Sequence, residues 1–113
     1  MMRIRCNNIE VANQVKVAKG SVERMIGLMF KKEMNGFDGL LIDPCNSIHT
    51  FFMKYHLDLI FIGKGNRIVK IIRNIAPWRM TWMYYKSHKV LELKGGTLPN
   101  GVNEGDILEV TNV

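Results

Sequence analysis

The sequence predicts a mostly-β fold: a compact β-sandwich or barrel-like sheet with one short helix, built as a single domain over residues 1–113. Three observations predict it. Segments of five to nine residues, rich in β-branched and aromatic types, recur along the chain. Pro44, Pro77 and Pro99, with Gly-bearing turns between them, punctuate those segments. Only one stretch is the best match to a short helix, and 113 residues fit one compact domain able to bury a core without disulfides or metal.

Taken in order, "QVKVAK" alternates in polarity and reads as a strand. "GSVERMIGLMF" reads as a helix over residues 21–29. Ser21 is placed to cap it, and Val22, Met25, Ile26 and Met29 fall at helical spacing. "KKEMNGFDGLLID" reads as a loop entering a strand. "SIHTFFMK", "LDLIFI" and "RIVKIIRNI" read as three strands, with "GKGN" at 63–66 as a hairpin turn. Ile68, Ile71, Ile72 and Ile75 also suit a helix, but the dense Ile and Val content favours a strand. "KVLELKGG" and "DILEVTNV" supply the last two strands.

Composition narrows the function classes. Cys6 and Cys45 are the two cysteines, a poor match to a disulfide framework and consistent with reduced thiols in a cytoplasmic protein. No apolar run approaches the roughly 20 residues of a membrane span, and the opening lacks a signal-peptide core. The net charge is +6. Residues 64–94 hold eight of the bases and one acid, Glu92, whereas residues 95–113 hold three acids and no base. A basic half suits anionic partners, nucleic acid or lipid headgroups among them. The bases are spread out and form no basic helix, so a solvated surface is the simpler reading and nucleic-acid binding through 64–94 ranks last.

The stretch "CNSIHTFFMKYHLDLIFI" concentrates polar chemistry in an apolar setting. Paired as a hairpin, strands 48–53 and 58–62 put His49, Met53 and Asp58 on one face. Asp58 is then an acid inside a buried strand, where a carboxylate needs hydrogen-bond donors or a cation. The same strand geometry separates Cys45 from His49 by about 13 Å, too far for a thiolate–imidazole pair. The Cys and His residues lack a metal-ligand spacing, so no metal and no cofactor is expected. Glu92 alternates with Leu91 and Leu93 and reads most simply as an exposed strand residue.

"SVERMIGLMF", "IHTFFMKYHLDLIFI", "VLELKGGTL" and "GDILEV", in that order, resemble the DUF192 family, also called UPF0127, over roughly residues 12–110. The resemblance implies a compact β-rich domain with a small helix. It implies recurring positions at Arg24, Gly27, Leu28, Met29, His49, Met53, Asp58, Glu92, Gly95, Gly96, Gly105 and Asp106. Many members carry a secretion or lipoprotein leader; none is expected here, since the opening residues lack a signal-peptide core. His56 stands where the family often has Pro. The family brings no established activity, but it groups His49, Asp58 and Glu92 as polar positions within apolar strands.

Three functions follow. The first is a small binding or accessory domain for a protein or small-molecule ligand, through His49, Met53, Asp58, Glu92 and the indoles Trp78 and Trp82. "APWRMTWMYYKSHK" has the composition of a contact surface, unless its two Trp close the end of the core. The second is a hydrolase or lyase using His49 with Asp58 or Glu92. The third is nucleic-acid binding.

Overall fold

The computed structural model describes residues 1–112. Seven strands form one sheet: β1 (Met2–Cys6), β2 (Ile9–Ala18), β3 (Gly39–Ile42), β4 (Leu57–Ile62), β5 (Ile68–Ile75), β6 (Lys89–Lys94) and β7 (Glu109–Asn112). The spatial order is β5-β4-β6-β3-β2-β1-β7. The fold is mostly β, as the recurrence of short apolar segments predicts. The final residue of the predicted last strand, Val113, lies outside the described residues.

The two ends of the sheet approach each other. Arg67 bridges Ile107, the Gly105 N–H donates to the Ile68 carbonyl and the Ile68 N–H to the Asp106 carbonyl, which brings the chain before β7 against the start of β5. The sheet therefore curls into a barrel-like form. One core cluster holds Ile4, Val15, Ile60, Ile62, Leu91 and Leu93. A second, on the other face of the same strands, holds Leu40, Ile42, Leu57, Leu59, Phe61 and Val90. Strand β4 is apolar on both faces because both faces are covered.

β2 and β3 are parallel, and a parallel pair needs a crossover. The helix α1 (Ser21–Ile26) lies in that crossover. It is shorter than the predicted 21–29. Gly27 stops it at φ +50, a backbone conformation that favours glycine, with its N–H on the Glu23 carbonyl at 2.9 Å. Ser21 does not cap the helix. Gly20 holds the cap position with no side-chain hydrogen bond. The apolar face of α1 is not buried either: Val22, Met25 and Ile26 are all exposed, and Leu28, just beyond the helix, supplies the core contact.

The hairpin expected from 48–53 and 58–62 does not form. β4 pairs instead with β5 and β6, and 48–53 is a loop organised by Thr50. The Thr50 hydroxyl donates to the Ala76 carbonyl at 2.7 Å and accepts the Arg79 N–H at 2.8 Å. Phe52 has φ +62, which interrupts any extended run. Ile48 and Met53 of this segment join the second core cluster, whereas Phe52 stays exposed. β1 is the strand no sequence pattern flagged; its pairing with both β2 and β7 holds it in the sheet. The turn at 63–66 does join β4 to β5, and 68–75 is a strand rather than a helix.

Candidate functional site

Between the α1 crossover and the 42–49 segment opens a cavity of about 820 Å³. Met25, Leu28 and Met53 are among the apolar side chains lining it, and Arg24, His49 and Ser87 among the polar ones. Arg24 braces the rim: its Nε donates to the Lys19 carbonyl and its Nη1 to the Pro44 carbonyl, each at 3.2 Å. The guanidinium thus pins the start of the crossover to the loop after β3.

Glu92 also lines this cavity, from β6. It is 4% exposed, so it is a buried acid and not the exposed strand residue its alternation suggests. Alternation with Leu91 and Leu93 means opposite faces of the sheet, and here both faces are covered. Burial pushes the Glu92 carboxyl up to about 8, with no hydrogen bond or neighbouring cation to offset it. At neutral pH the group is mostly protonated and can donate a hydrogen bond. Burial, and then the Glu92 charge, push the nearby Tyr55 phenol up to about 12.

Asp58 sits elsewhere. Across the β4–β6 ladder Asp58 pairs with Leu93 and Leu59 with Glu92, so the two carboxyls face opposite sides of the sheet. The Asp58 oxygens accept three backbone N–H bonds, from Asn74 (2.7 Å), Gly96 (3.0 Å) and Leu98 (2.9 Å). The grouping of His49, Asp58 and Glu92 is therefore corrected: Asp58 is separated from the other two by the thickness of the sheet. It closes the β5 irregularity between its pairs Leu57–Ile75 and Leu59–Ile72 and holds the turn after β6.

His49 and Met53 line the same cavity as Glu92, Met53 buried and His49 exposed with its ring stacked on Phe51 at 5.0 Å. Cys45 lines it too. Because 45–49 is not a strand, the 13 Å separation does not apply. Burial nevertheless pushes the Cys45 thiol up, which disfavours the thiolate. Trp78 and Trp82 do not close the core: they are 57% and 83% exposed, and the cavity lining does not include them. Among the described residues, no three His, Cys, Asp or Glu side chains gather as a metal-binding group. Ser87 and His88, on the loop entering β6, were not legible as cavity residues, because their placement follows from backbone and hydroxyl bonds to Cys45 and Ile62, distant in the chain.

The sequence pattern of DUF192, described as "Uncharacterized ACR", matches residues 3–110. The chain belongs to the DUF192 family. Its relatives include UPF0127 protein PH1112 of Pyrococcus horikoshii, 33% identical over 78 residues; the match spans 65% of each chain. Among solved structures, a protein of unknown function from Novosphingobium aromaticivorans superposes with a TM-score of 0.81 at 24% identity, covering 96% of this chain and 82% of the other. A "putative transcription regulator" from Sinorhizobium meliloti superposes with a TM-score of 0.76 at 27% identity, covering 96% and 91%.

The positions that the DUF192 resemblance implies divide in space. Arg24, Gly27, Leu28, Met29, His49, Met53 and Glu92 all line the cavity. Asp58, Gly95 and Gly96 build the turn after β6 instead. A Cβ on Gly95 would stand 2.6 Å from Asn74 Oδ1 and 2.8 Å from His56 Cβ, so no side chain fits there. Gly96 adopts φ +87 and turns its N–H onto Asp58. Asp106 accepts bonds from Asn7 Nδ2 (3.0 Å) and the Asn103 N–H (2.9 Å), tying the β1–β2 turn to the chain before β7. This DUF192 domain thus separates a cavity set from a scaffold set.

Proposed function

We propose that this DUF192 domain is a small-molecule-binding module whose ligand occupies the cavity over Glu92. One observation carries the reading: a buried carboxyl, raised to about 8, faces an open cavity without a protein partner. Buried polar groups are normally satisfied, and one left free in a cavity is a hydrogen bond waiting for a ligand. The cavity's chemistry defines the ligand class. Protonated Glu92 donates, Arg24 supplies positive charge, and Met25, Leu28 and Met53 supply apolar wall. A compact molecule with acceptor oxygens and a short apolar body fits all three.

A second reading rests on His49 sharing the cavity with Glu92: a hydrolase or lyase in which a protonated acid and an imidazole act as proton donor and acceptor. Asp58, its oxygens committed to three backbone N–H groups, has no part in either reading.

The test is an amide-resolved NMR titration with two matched probe series, short-chain alkyl carboxylates and alkylammonium ions. The reading expects carboxylates to shift resonances of residues 21–29, 42–49 and 92. Glu92→Leu, which removes the donor, should weaken that response about tenfold, and Glu92→Gln, which keeps one, should retain most of it. Shifts confined to other surfaces, or no response to either series, would sink it.

A further inference from the structure

The chain exposes an aromatic ridge beside the cavity. Phe30 packs on Phe52 with ring centroids 4.9 Å apart, and Phe52 on Trp78 at 4.7 Å. The three come from separate segments, sewn together by the Phe30 N–H on the Phe52 carbonyl and the Trp78 N–H on the Thr50 carbonyl, both 2.9 Å. All three rings remain exposed, at 60%, 45% and 57%. The loop that follows adds Met80, Trp82, Met83 and Tyr85, every one of them more than half exposed.

The backbone of the ridge is unusual in the same way at each ring. Phe30, Phe52 and Trp78 have φ of +66, +62 and +64. Bulky residues rarely adopt this left-handed conformation, and its cost is retained where the surrounding structure imposes it at a working surface. Gly or Asn would sit there with less strain. Here the strained positions carry exposed rings that stabilise the core little, so folding alone does not account for them.

Charge identifies the occupant. Segments 28–34, 49–56 and 76–89, which build the ridge, carry Lys31, Lys32, Lys54, Arg79, Lys86 and Lys89 against one acid, Glu33. All of these bases except the half-buried Lys89 are exposed. Indole and phenol rings with exposed Met side chains, flanked by lysines, match the interfacial zone of a lipid bilayer with anionic headgroups. Nucleic acid fits less well: single-strand binders use aromatic platforms along a charged groove, whereas Met80 and Met83 are aliphatic and suit acyl chains.

We propose that the Phe30–Phe52–Trp78 ridge and the 80–85 loop form a peripheral docking surface for bilayers containing anionic phospholipid.

The experiment uses the full chain with sucrose-loaded vesicles of phosphatidylcholine alone or mixed with phosphatidylserine. It reads co-sedimentation and tryptophan emission. Binding to the mixed vesicles, with a blue shift, weak binding to phosphatidylcholine and loss of binding at high salt are expected. Trp78→Asn combined with Trp82→Ser should reduce binding at least about tenfold while leaving the circular dichroism unchanged, since Asn tolerates positive φ. Arg79→Ser should weaken binding more than Arg3→Ser, which removes an equal charge from β1, three strands from β6. No binding to mixed vesicles, binding indifferent to the tryptophan substitutions, or equal effects of the two arginine variants would each overturn the proposal. So would saturable binding of a single-stranded oligonucleotide without vesicle binding, which assigns the ridge to nucleic acid.

Discussion

Asp58 and Glu92 lie on neighbouring antiparallel strands, one register position apart, and face opposite sides of the sheet. Both are almost wholly buried, at 1% and 4% exposure. They differ in their partners. Asp58 accepts three backbone N–H bonds, and Glu92 faces a cavity with none. The same residue class, one step apart in the ladder, is scaffold in one case and available chemistry in the other.

Removing the two carboxyls should therefore have opposite consequences. Asp58→Ala removes the acceptor of three backbone N–H groups, the Leu98 N–H among them fully buried, and is expected to cost roughly 1–3 kcal/mol or more. Glu92→Gln leaves no donor stranded and should be neutral or stabilising at pH 7. Urea unfolding midpoints of the two variants measure the difference; a mild effect at Asp58 together with a severe one at Glu92 would reverse these assignments.

Glu92 also predicts a pH dependence. Its carboxyl is raised from 4.5 to about 8 in the folded chain. Between those values the native state keeps a proton that the unfolded chain has released. Stability from this group is therefore greatest below the unfolded value and falls as pH rises through the window, by about 1.4 kcal/mol per unit, then levels off. The melting temperature of the parent should fall relative to Glu92→Gln between pH 5 and about 8. Parallel curves for the two proteins across that range would contradict a raised carboxyl.

The helix predicts a contrast between neighbours. Met25 is 69% exposed and Leu28 2% exposed. Leu28→Ala should cost roughly 2–4 kcal/mol, and Met25→Ala less than about 0.5. Chemical denaturation distinguishes them, and a costly Met25→Ala would mean that α1 packs its apolar face after all.

Cys45 should behave as a sluggish thiol. Burial raises its pKa, so iodoacetamide alkylation in a Cys6→Ser background should rise with pH through a midpoint above that of a free thiol. A midpoint well below it, lost in His49→Ala, would restore a Cys–His pair.

Trp78→Asn should raise stability by about 1 kcal/mol, because it relieves a strained φ of +64 and removes a ring that is 57% exposed. Thermal melting reads the sign, and the same substitution separates a strained surface from a packing residue.

Much of the fold was legible locally. The alternation and β-branched content of "LDLIFI", "RIVKIIRNI" and "VLELK" mark strands because a pleated, covered ladder selects those side chains over short range. The glycines of "KGG" announce a turn for a similarly local reason. Asp58 stood out because an acid within an apolar strand must be satisfied somewhere. Other features required tertiary structure. "SIHTFFMK" has strand composition, but its neighbours β5 and β6 take both edges of β4, so it folds as a covering loop. Glu92 reads as exposed by its alternation, and only the crossover packed over that face makes it buried. The burial of α1 likewise depends on what lies opposite, and nothing covers Val22 or Met25. Sequence determined which residues favour extended backbone and which turns interrupt it, because those preferences act over a few bonds. Which face each polar side chain meets, and whether that face is core, cavity or solvent, was decided by strand register and by the loops packed across the sheet, which depend on contacts distant in the chain.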